Sequence, residues 1–387
     1  MTWSRFRDLA GAVLMALATL GVVGAPAADR PIIIGATYNL TGGQQDLDIP
    51  SSQGARLAVD ETNATGGVLG RPVKLVVVDG QTKQSVIAQE TAKILEDQPA
   101  VAGLIGFSDT DMVLAAAPVA AKNMRVFLTS GATSPKLPQQ VPDYLFLACF
   151  GDNVQAAAGA EWAIRSLKAR TVVVLYRETS SYAKLLHGYF RARFKELRGR
   201  VLAVRPYTID TLKVAVKNLP RAGLVYLAAQ PEEVPAAIAA IRGAGITVPI
   251  LGGDGLDIGS AWKQVTRADN IYFTTHAYLG ADNPDARVQA FRALYANAHP
   301  GREPDAFTAL GYDAARLLMA AIRSAGSAEP EAVRKALAAT HDFPGVTGAI
   351  SYRNGSRIPA KSVSIIAVAQ GQQTLAASVL PGKIPAP

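Results

Sequence analysis

Hydroxyl groups follow two predicted strands at the points where those strands end. Residues 101–106 form one strand and residues 126–129 form the other. The runs that follow them are Phe107-Ser108-Asp109-Thr110-Asp111 and Ser130-Gly131-Ala132-Thr133-Ser134. A helix N-terminus exposes free N–H groups and the positive end of the helix dipole. Hydroxyls beside such a terminus bind a carboxylate without a buried lysine, so we expect an anion site at these two strand ends.

Helix capping is the competing interpretation of the same polar side chains. Short polar residues that precede a helix accept hydrogen bonds from its first free N–H groups. The residues that fit this structural role are Ser108, Asp109, Asp111 and Ser134. Two adjacent strand ends that both carry hydroxyls favour a ligand over capping alone.

Motifs of nucleophilic, zinc or nucleotide chemistry are absent from the sequence. It contains no G-x-S-x-G, no H-E-x-x-H, no Walker loop and no G-x-G-x-x-G behind a strand. The single cysteine is Cys149, and the four histidines are scattered at positions 187, 276, 299 and 341. These counts exclude an internal disulfide and a cysteine-based metal site. We therefore expect no catalysis, no cofactor and no bound metal.

The N-terminal residues have the pattern of an export signal. Arg5 and Arg7 precede an apolar stretch over residues 9–23, and Ala25-Pro26-Ala27 supplies small residues for cleavage. We expect a cleaved signal peptide over residues 1–27 and a periplasmic mature protein. No cysteine lies directly after the apolar stretch, so a lipoprotein anchor is not expected. A transmembrane anchor is the alternative interpretation of this stretch.

Composition places the remaining chain among folded globular proteins. Hydrophobic residues make up 49% of the 387 residues and charged residues 18%, which is ample apolar material for a core. The net charge of +8 is spread along the chain without a run of five like charges. We interpret this charge as a source of solubility and of weak electrostatic steering of ligands, and we expect no nucleic-acid partner.

Strand-like and helix-like segments alternate along the chain. Continuous Val, Ile and Leu runs separated by helices are typical of parallel strands buried on both faces. Predicted strands cover residues 32–37, 73–78, 101–106, 126–129, 172–176, 201–207, 224–229, 246–252, 348–352 and 362–369. Predicted helices include residues 51–63, 84–97, 111–122 and 153–168, the last capped by Asp152. The pattern restarts near residue 147, which predicts two doubly wound α/β lobes and a ligand cleft between them.

Several ordered runs carry a family resemblance. They include Asn63-Ala64-Thr65-Gly66-Gly67-Val68-Leu69-Gly70-Arg71-Pro72-Val73, Thr133-Ser134-Pro135, Pro249-Ile250-Leu251-Gly252-Gly253-Asp254-Gly255 and Ala309-Leu310-Gly311-Tyr312-Asp313-Ala314. From residue 32 to about 369 the chain resembles the periplasmic leucine/branched-chain amino acid binding proteins, the type I solute-binding proteins of ABC transporters. The resemblance implies a bilobed Venus-flytrap fold whose lobes are joined by three crossovers. Its lobes would span residues 28–147 plus about 279–345, and 148–278 plus about 346–387.

The same resemblance implies capture of a small amino acid-like ligand and its delivery to the transmembrane subunits of an ABC permease. Two alternatives stay open within this fold. The solute could be an aromatic carboxylate, an amide or a urea-like compound, or the protein could act as a ligand sensor. A secreted α/β enzyme is the remaining hypothesis, outside the family.

Ligand-binding roles also follow from the resemblance, position by position. Ser108 and Thr110 correspond to hydroxyls that hold a ligand carboxylate, and Gly131, Ala132 and Thr133 to the neighbouring contact loop. Tyr182 matches an aromatic residue that closes over the ligand. Asp254 matches the acidic partner of a ligand ammonium group, although a turn role in Gly-Asp-Gly is its competing interpretation.

Departures from the family pattern surround this expected site. The predicted first loop, residues 44–50, and the segment Ala229-Gln230-Pro231 both lack the aromatic residues that leucine binders tend to place there. Leu47, Phe150 and Ala229 are therefore weaker ligand-binding candidates, with core packing as the alternative for Phe150. These departures leave the identity of the ligand open, between leucine and other small acids or amides.

Overall fold

A computed structural model describes residues 30–387, so the expected signal peptide over residues 1–27 lies outside the described residues. No helix in the described part of the chain is long and apolar enough to cross a bilayer. The strands are β1 Ile32–Tyr38, β2 Val73–Asp79, β3 Val101–Gly106, β4 Phe127–Thr129, β5 Leu145–Leu147, β6 Thr171–Arg177, β7 Arg200–Tyr207, β8 Leu224–Ala228, β9 Ile250–Gly252, β10 Ile271–Thr275, β11 Phe343–Gly345, β12 Gly348–Ile350, β13 Val363–Ala369 and β14 Gln372–Val379.

Helices follow most of these strands and cover the sheets. They are α1 Gln45–Ala64, α2 Gln84–Asp97, α3 Thr110–Lys122, α4 Leu137–Gln140, α5 Asp152–Arg165, α6 Ser181–Glu196, α7 Leu212–Ala215, α8 Val234–Gly243, α9 Ala286–Ala298, α10 Ala306–Ala325 and α11 Pro330–Ala338. The α2 bounds coincide with the helix predicted from sequence. Helix α1 begins at Gln45 rather than at residue 51, so the predicted first loop is largely helical despite Pro50.

Two sheets form the centres of two lobes. The first has the order β2-β1-β3-β4-β5, and its pairs are all parallel. The second has the order β14-β13-β10-β9-β8-β6-β7. Its strands from β6 to β10 pair in parallel, whereas β13 and β14 add an antiparallel edge. The prediction of two doubly wound α/β lobes is confirmed, and the second sheet also has an antiparallel edge that the sequence patterns did not predict.

Four strands were not predicted, because their sequence patterns are weak: β5, β10, β14 and the three-residue β11. Strand β5 has only three residues, and β10 ends in Thr274 and Thr275 rather than in aliphatic residues. Strand β14, QQTLAASV, lies at the edge of its sheet and is mostly exposed. An edge strand needs no continuous apolar run, since only one of its sides is covered by a neighbour.

The chain returns to the first lobe after β10. Phe291 of α9, Leu318 of α10 and Leu337 of α11 belong to the hydrophobic core that also contains Ile34 of β1. Val346, Ile350 and Tyr352 are buried in this same core. The first lobe thus continues past residue 345, and the third crossover lies between Tyr352 and Val363, later than the sequence predicts. The β11–β12 hairpin packs on α10 and so extends the hydrophobic core of the first lobe.

Helices α1 and α10 cross with their backbones in close contact. A Cβ added to Gly54 of α1 would lie 1.9 Å from the Thr308 carbonyl oxygen, and one added to Gly311 of α10 would lie 1.8 Å from the Ser51 oxygen. Only glycine permits this approach on both helices. The crossing holds the start of α1, and therefore the residues before Ser51, against the first sheet.

We predict that Gly311→Ala lowers the free energy of unfolding by about 2 kcal/mol or more, because the helices must separate to admit the methyl group. Thermal or urea unfolding monitored by circular dichroism measures this loss. Gly188→Ala is the matched control, since Gly188 lies in α6 with no atom within 4 Å of the added Cβ. The control should be stabilised by roughly 0.5–1 kcal/mol. Equal effects of the two substitutions would contradict the close-packed crossing.

Candidate functional site

Loops at the carboxyl ends of the strands of both sheets meet in a cleft. Gln230 of the second lobe donates from Nε2 to Asp109 Oδ2 of the first lobe at 2.9 Å. The Ser181 N–H, at the start of α6, donates to Asp111 Oδ2 at 3.2 Å. These contacts join the lobes across the cleft, so the structure shows the closed arrangement.

The start of α3 carries the predicted hydroxyls. Asp109 caps this helix, because its Oδ1 accepts from the N–H groups of Asp111 at 2.8 Å and Met112 at 3.3 Å. The capping interpretation therefore holds for Asp109. The hydroxyls of Ser108 and Thr110 take no part in it, since both are buried and have no hydrogen-bond partner. They remain available to an acceptor from outside the chain.

The loop after β4 lies directly beside these hydroxyls. A Cβ added to Gly131 would lie 2.9 Å from Ser108 Oγ, so this glycine keeps the space beside the hydroxyl open. Ala132 is fully buried, and Cys149 Sγ donates to its carbonyl oxygen at 3.2 Å. Thr133 is 2% exposed, and its carbonyl oxygen accepts from the Asp152 N–H at 2.6 Å. The predicted residues of this loop thus line one side of the cleft.

A pocket of about 260 Å³ opens from solvent toward Thr110. Its walls come from both lobes and include Ser134 and Lys136 of the first lobe and Ser181 and Lys184 of the second. Both lysines are exposed. An anionic group that enters between the lobes passes these cations before it reaches the buried hydroxyl.

Asp254 is the centre of the second lobe's contribution to the cleft. It follows β9 in a 3₁₀ turn, Asp254–Leu256, and is 4% exposed. Its Oδ1 accepts from Tyr182 Oη at 2.7 Å and from Gln155 Nε2 at 2.6 Å. Its Oδ2 lies 3.0 Å from His276 Nε2. Asp254 and Tyr182, both predicted, are brought together, and Gln155 and His276 join them.

Asp152 supplies a second buried carboxylate next to Asp254. Its Oδ1 accepts from Gln155 Nε2 at 3.0 Å, whereas its Oδ2 is buried without a partner. Burial, together with the charge of Asp254, raises the pKa of Asp152 well above its ordinary value. The predicted role of Asp152 as a helix cap is wrong: Gly151 occupies the N-cap position of α5, and Asp152 turns into the cleft. No side-chain hydrogen bond caps this helix.

His276 and Phe150 form the floor behind Asp254. Their rings stack with centroids 4.1 Å apart, and both side chains are buried. Burial lowers the pKa of His276, which favours the neutral imidazole. The neighbouring carboxylate accepts only, so Nε2 carries the proton and Nδ1 is left as a buried acceptor without a partner. Phe150 packs in the core and also borders the cleft through this stack.

The other weaker candidates have mainly structural environments. Leu47 packs in the first-lobe core with Phe107, and Ala229 packs in a second-lobe core with Leu256. Asp48 beside Leu47 accepts from Asn39 N at 2.9 Å and from Ser108 N at 3.0 Å, which fixes the loop that carries Ser108.

Four cleft residues were missed by sequence reasoning: Gln44, Gln155, Gln230 and His276. The spacing of Asp152 and Gln155, three residues apart at a helix start, is the one signal that could have shown two polar side chains on the same helix face. Gln230 and His276 follow β8 and β10, and β10 was not predicted. No group of three or more His, Cys, Asp or Glu side chains between residues 30 and 387 is arranged to hold a metal.

A two-lobed α/β fold with a buried polar site in the cleft defines the class of solute-binding proteins. A family model described as "Periplasmic binding protein" matches residues 31–373. The chain belongs to this family.

Relatives and solved structures agree with this assignment. The Leu/Ile/Val-binding protein BraC3 of Rhizobium johnstonii is 28% identical, over 88% of this chain and 92% of its own length. The isoleucine complex of LivJ from Streptococcus pneumoniae superposes with a TM-score of 0.82 at 27% identity, covering 90% of this chain and 99% of that one. The leucine binding protein LivK of Thermotoga maritima gives a TM-score of 0.79 at 30% identity, with the same coverage.

We predict that Asp152→Asn stabilises the protein without ligand while weakening ligand binding. The pKa of Asp152 is raised in the folded state. As the pH rises, ionisation of this residue therefore stabilises the unfolded chain more than the folded chain and lowers the stability of the parent protein. The stabilisation should therefore be small near pH 4 and grow as the pH rises toward 8. Urea unfolding of the ligand-free protein at several pH values measures it.

Asp210→Asn is the control for this pH series, because Asp210 is exposed. Its unfolding free energy should differ from that of the parent protein by only a few tenths of a kcal/mol at every pH, as is usual for surface changes. A pH-independent effect of Asp152→Asn would show that burial does not disfavour the Asp152 carboxylate.

Proposed function

We propose that this protein is the periplasmic substrate-binding component of an ABC importer and that it captures an α-amino acid in the interlobe cleft. One observation carries the proposal. Buried, unpartnered hydroxyls at a helix start lie on one side of the cleft, and two buried carboxylates with no lysine or arginine bonded to them lie on the other. A zwitterion satisfies both sides at once.

The ligand carboxylate binds at the start of α3. Ser108 and Thr110 supply free hydroxyls there. Thr133, whose hydroxyl lies within bonding reach of the Asp152 carboxyl group, adds a third from the loop after β4. The positive end of the α3 dipole stabilises the anion, so no buried cation is needed. The lysines at the mouth of the pocket contribute attraction during entry rather than a direct bond.

The ligand ammonium group binds between Asp152 and Asp254. An ammonium group has three N–H donors, and Asp152 Oδ2 is a buried acceptor without a partner. Charge-assisted hydrogen bonds of this kind are about twice as strong as neutral ones. Tyr182 holds Asp254 in place through its 2.7 Å hydrogen bond and closes this end of the cleft.

Closure follows from the division of the site between lobes. The carboxylate partners belong to the first lobe, and the ammonium partners are carried by elements of the second. A ligand that contacts both lobes binds the closed form better than the open form and shifts the population toward it. The closed form then presents a defined surface to the permease subunits, and capture and release leave the solute chemically unchanged.

Isothermal titration of ligand-stripped mature protein tests the proposal. We predict that at least one proteinogenic L-amino acid binds, whereas the matching amine and the matching carboxylic acid bind at least 100-fold more weakly. Asp254→Asn should reduce affinity about 10- to 100-fold, because it removes charge while keeping the shape of the side chain. Thr133→Val should reduce it by a similar factor.

Lys136→Ala is the control variant, since its exposed side chain lies only at the pocket mouth. Its affinity should change less than the affinities of the two cleft variants. Tight binding of benzoate or another acid without an amine, together with no effect of Asp254→Asn, would refute the amino acid assignment and leave the solute-binding fold intact.

A further inference from the structure

A chain of buried polar side chains crosses the cleft on the side of α1. Gln44 immediately precedes α1, Asp109 caps α3, and Gln230 follows β8. Their exposed fractions are 7%, 5% and 6%, respectively. This side of the cleft is therefore lined by buried polar groups.

The direction of each amide in this chain is determined by the Asp109 carboxylate. Asp109 Oδ2 only accepts, so the group that faces it at 2.9 Å must be the Gln230 amide nitrogen. The same nitrogen donates to Ser180 Oγ at 2.8 Å. Both hydrogens of the Gln230 amide are thereby used, and its Oε1 points to Gln44. Gln44 Nε2 faces that oxygen at 3.5 Å.

One acceptor is left without a donor at the Gln44 end of this row of polar side chains. Because Gln44 turns its nitrogen toward Gln230, its Oε1 points away from Gln230, and this oxygen is buried without a partner. A buried acceptor without a donor is unfavourable, and water or a ligand normally supplies the missing donor. Gln44 contacts Gln230 of the opposite lobe, and Gln230 in turn bonds Asp109, which lies between Ser108 and Thr110 in the sequence. Gln44 is thus on the same side of the cleft as the free hydroxyls.

We propose that Gln44 determines ligand specificity: its Oε1 accepts a hydrogen bond from an N–H donor on the ligand's side chain. The substrate class is then α-amino acids with an N–H-bearing side chain, such as a carboxamide, rather than branched aliphatic amino acids. This inference rests on the proposed binding of an α-amino acid. An aliphatic side chain of the same shape leaves Gln44 Oε1 unpaired and places methyl groups beside two amides and a carboxylate.

Pairs of ligands with matching shapes isolate this hydrogen bond. Asparagine and leucine have side chains of nearly the same size and branching, as do glutamine and homoleucine. We expect the amide of at least one pair to bind the parent protein at least 10-fold more tightly than its aliphatic partner in isothermal titration. Arginine and lysine are included to distinguish a neutral amide donor from a cationic one.

Gln44→Leu should abolish or reverse this preference while the loss of affinity for leucine stays below threefold. Gln45→Leu is the matched control, because Gln45 is the next residue and is exposed. It should leave every affinity within twofold of the parent. Gln44→Met provides a second apolar variant with an unbranched side chain, for use if thermal unfolding shows that Gln44→Leu is misfolded.

The outcomes separate the two proposals. Tighter binding of leucine than of asparagine and glutamine by the parent protein overturns the inference and leaves the proposed amino acid binding standing. An amide preference that survives in Gln44→Leu and Gln44→Met overturns the role of Gln44. If no α-amino acid binds at all while another solute does, the proposed function itself fails, and the inference fails with it.

Discussion

The side-chain amide of Gln155 is the interaction on which the geometry of the cleft depends. Its Nε2 donates to both Asp152 Oδ1 at 3.0 Å and Asp254 Oδ1 at 2.6 Å. Its Oε1 accepts from Thr274 Oγ1 at 2.6 Å and from the Asp254 N–H at 3.1 Å. All four bonds are buried, and together they fix which end of the amide faces which partner. Helix α5, the turn after β9 and strand β10 are therefore held in one register at the site.

This arrangement places two buried acidic side chains close together, and burial and the charge of Asp254 disfavour the ionised form of Asp152. One amide supplies one N–H to each carboxylate, and Tyr182 and His276 supply two more donors to Asp254. Asp152 has only the Thr133 hydroxyl near it as a further donor, and its Oδ2 has no hydrogen-bond partner of good geometry. Asp152 Oδ2 thus joins the hydroxyls of Ser108 and Thr110 among the buried polar atoms of the cleft that lack a partner. Sites that bind a charged ligand commonly show this pattern, because stability and function make opposite demands on the same residue.

The sequence predicted more of the scaffold than of the site. Long aliphatic strands such as β1 and β3 are visible because burial on both faces demands continuous apolar residues. Ser108 and Thr110 were expected at the site because they follow β3, and Thr133 because its loop follows β4. Their ligand-binding roles stay predictions. Asp152 was placed correctly but assigned the wrong role, since a polar residue before a helix has the same local pattern whether it caps the helix or faces a cleft. His276 depends on β10, whose short mixed sequence gives no clear strand signal.

Contacts between distant parts of the chain explain what local patterns could not show. Gln44 and Gln230 are 186 residues apart. Each alone has the pattern of an ordinary polar residue at the end of a helix or strand. Only closure of the lobes brings them together with Asp109.

The two halves of the cleft also differ in how firmly their residues are held before closure. Asp254 is bonded on both of its oxygens within the second lobe, whereas Gln230 is bonded to Asp109 across the cleft and so depends on closure. In the proposed function, the acidic partner of the ammonium group is therefore held within one lobe, whereas the row of Gln44, Gln230 and Asp109 exists only once the lobes have met.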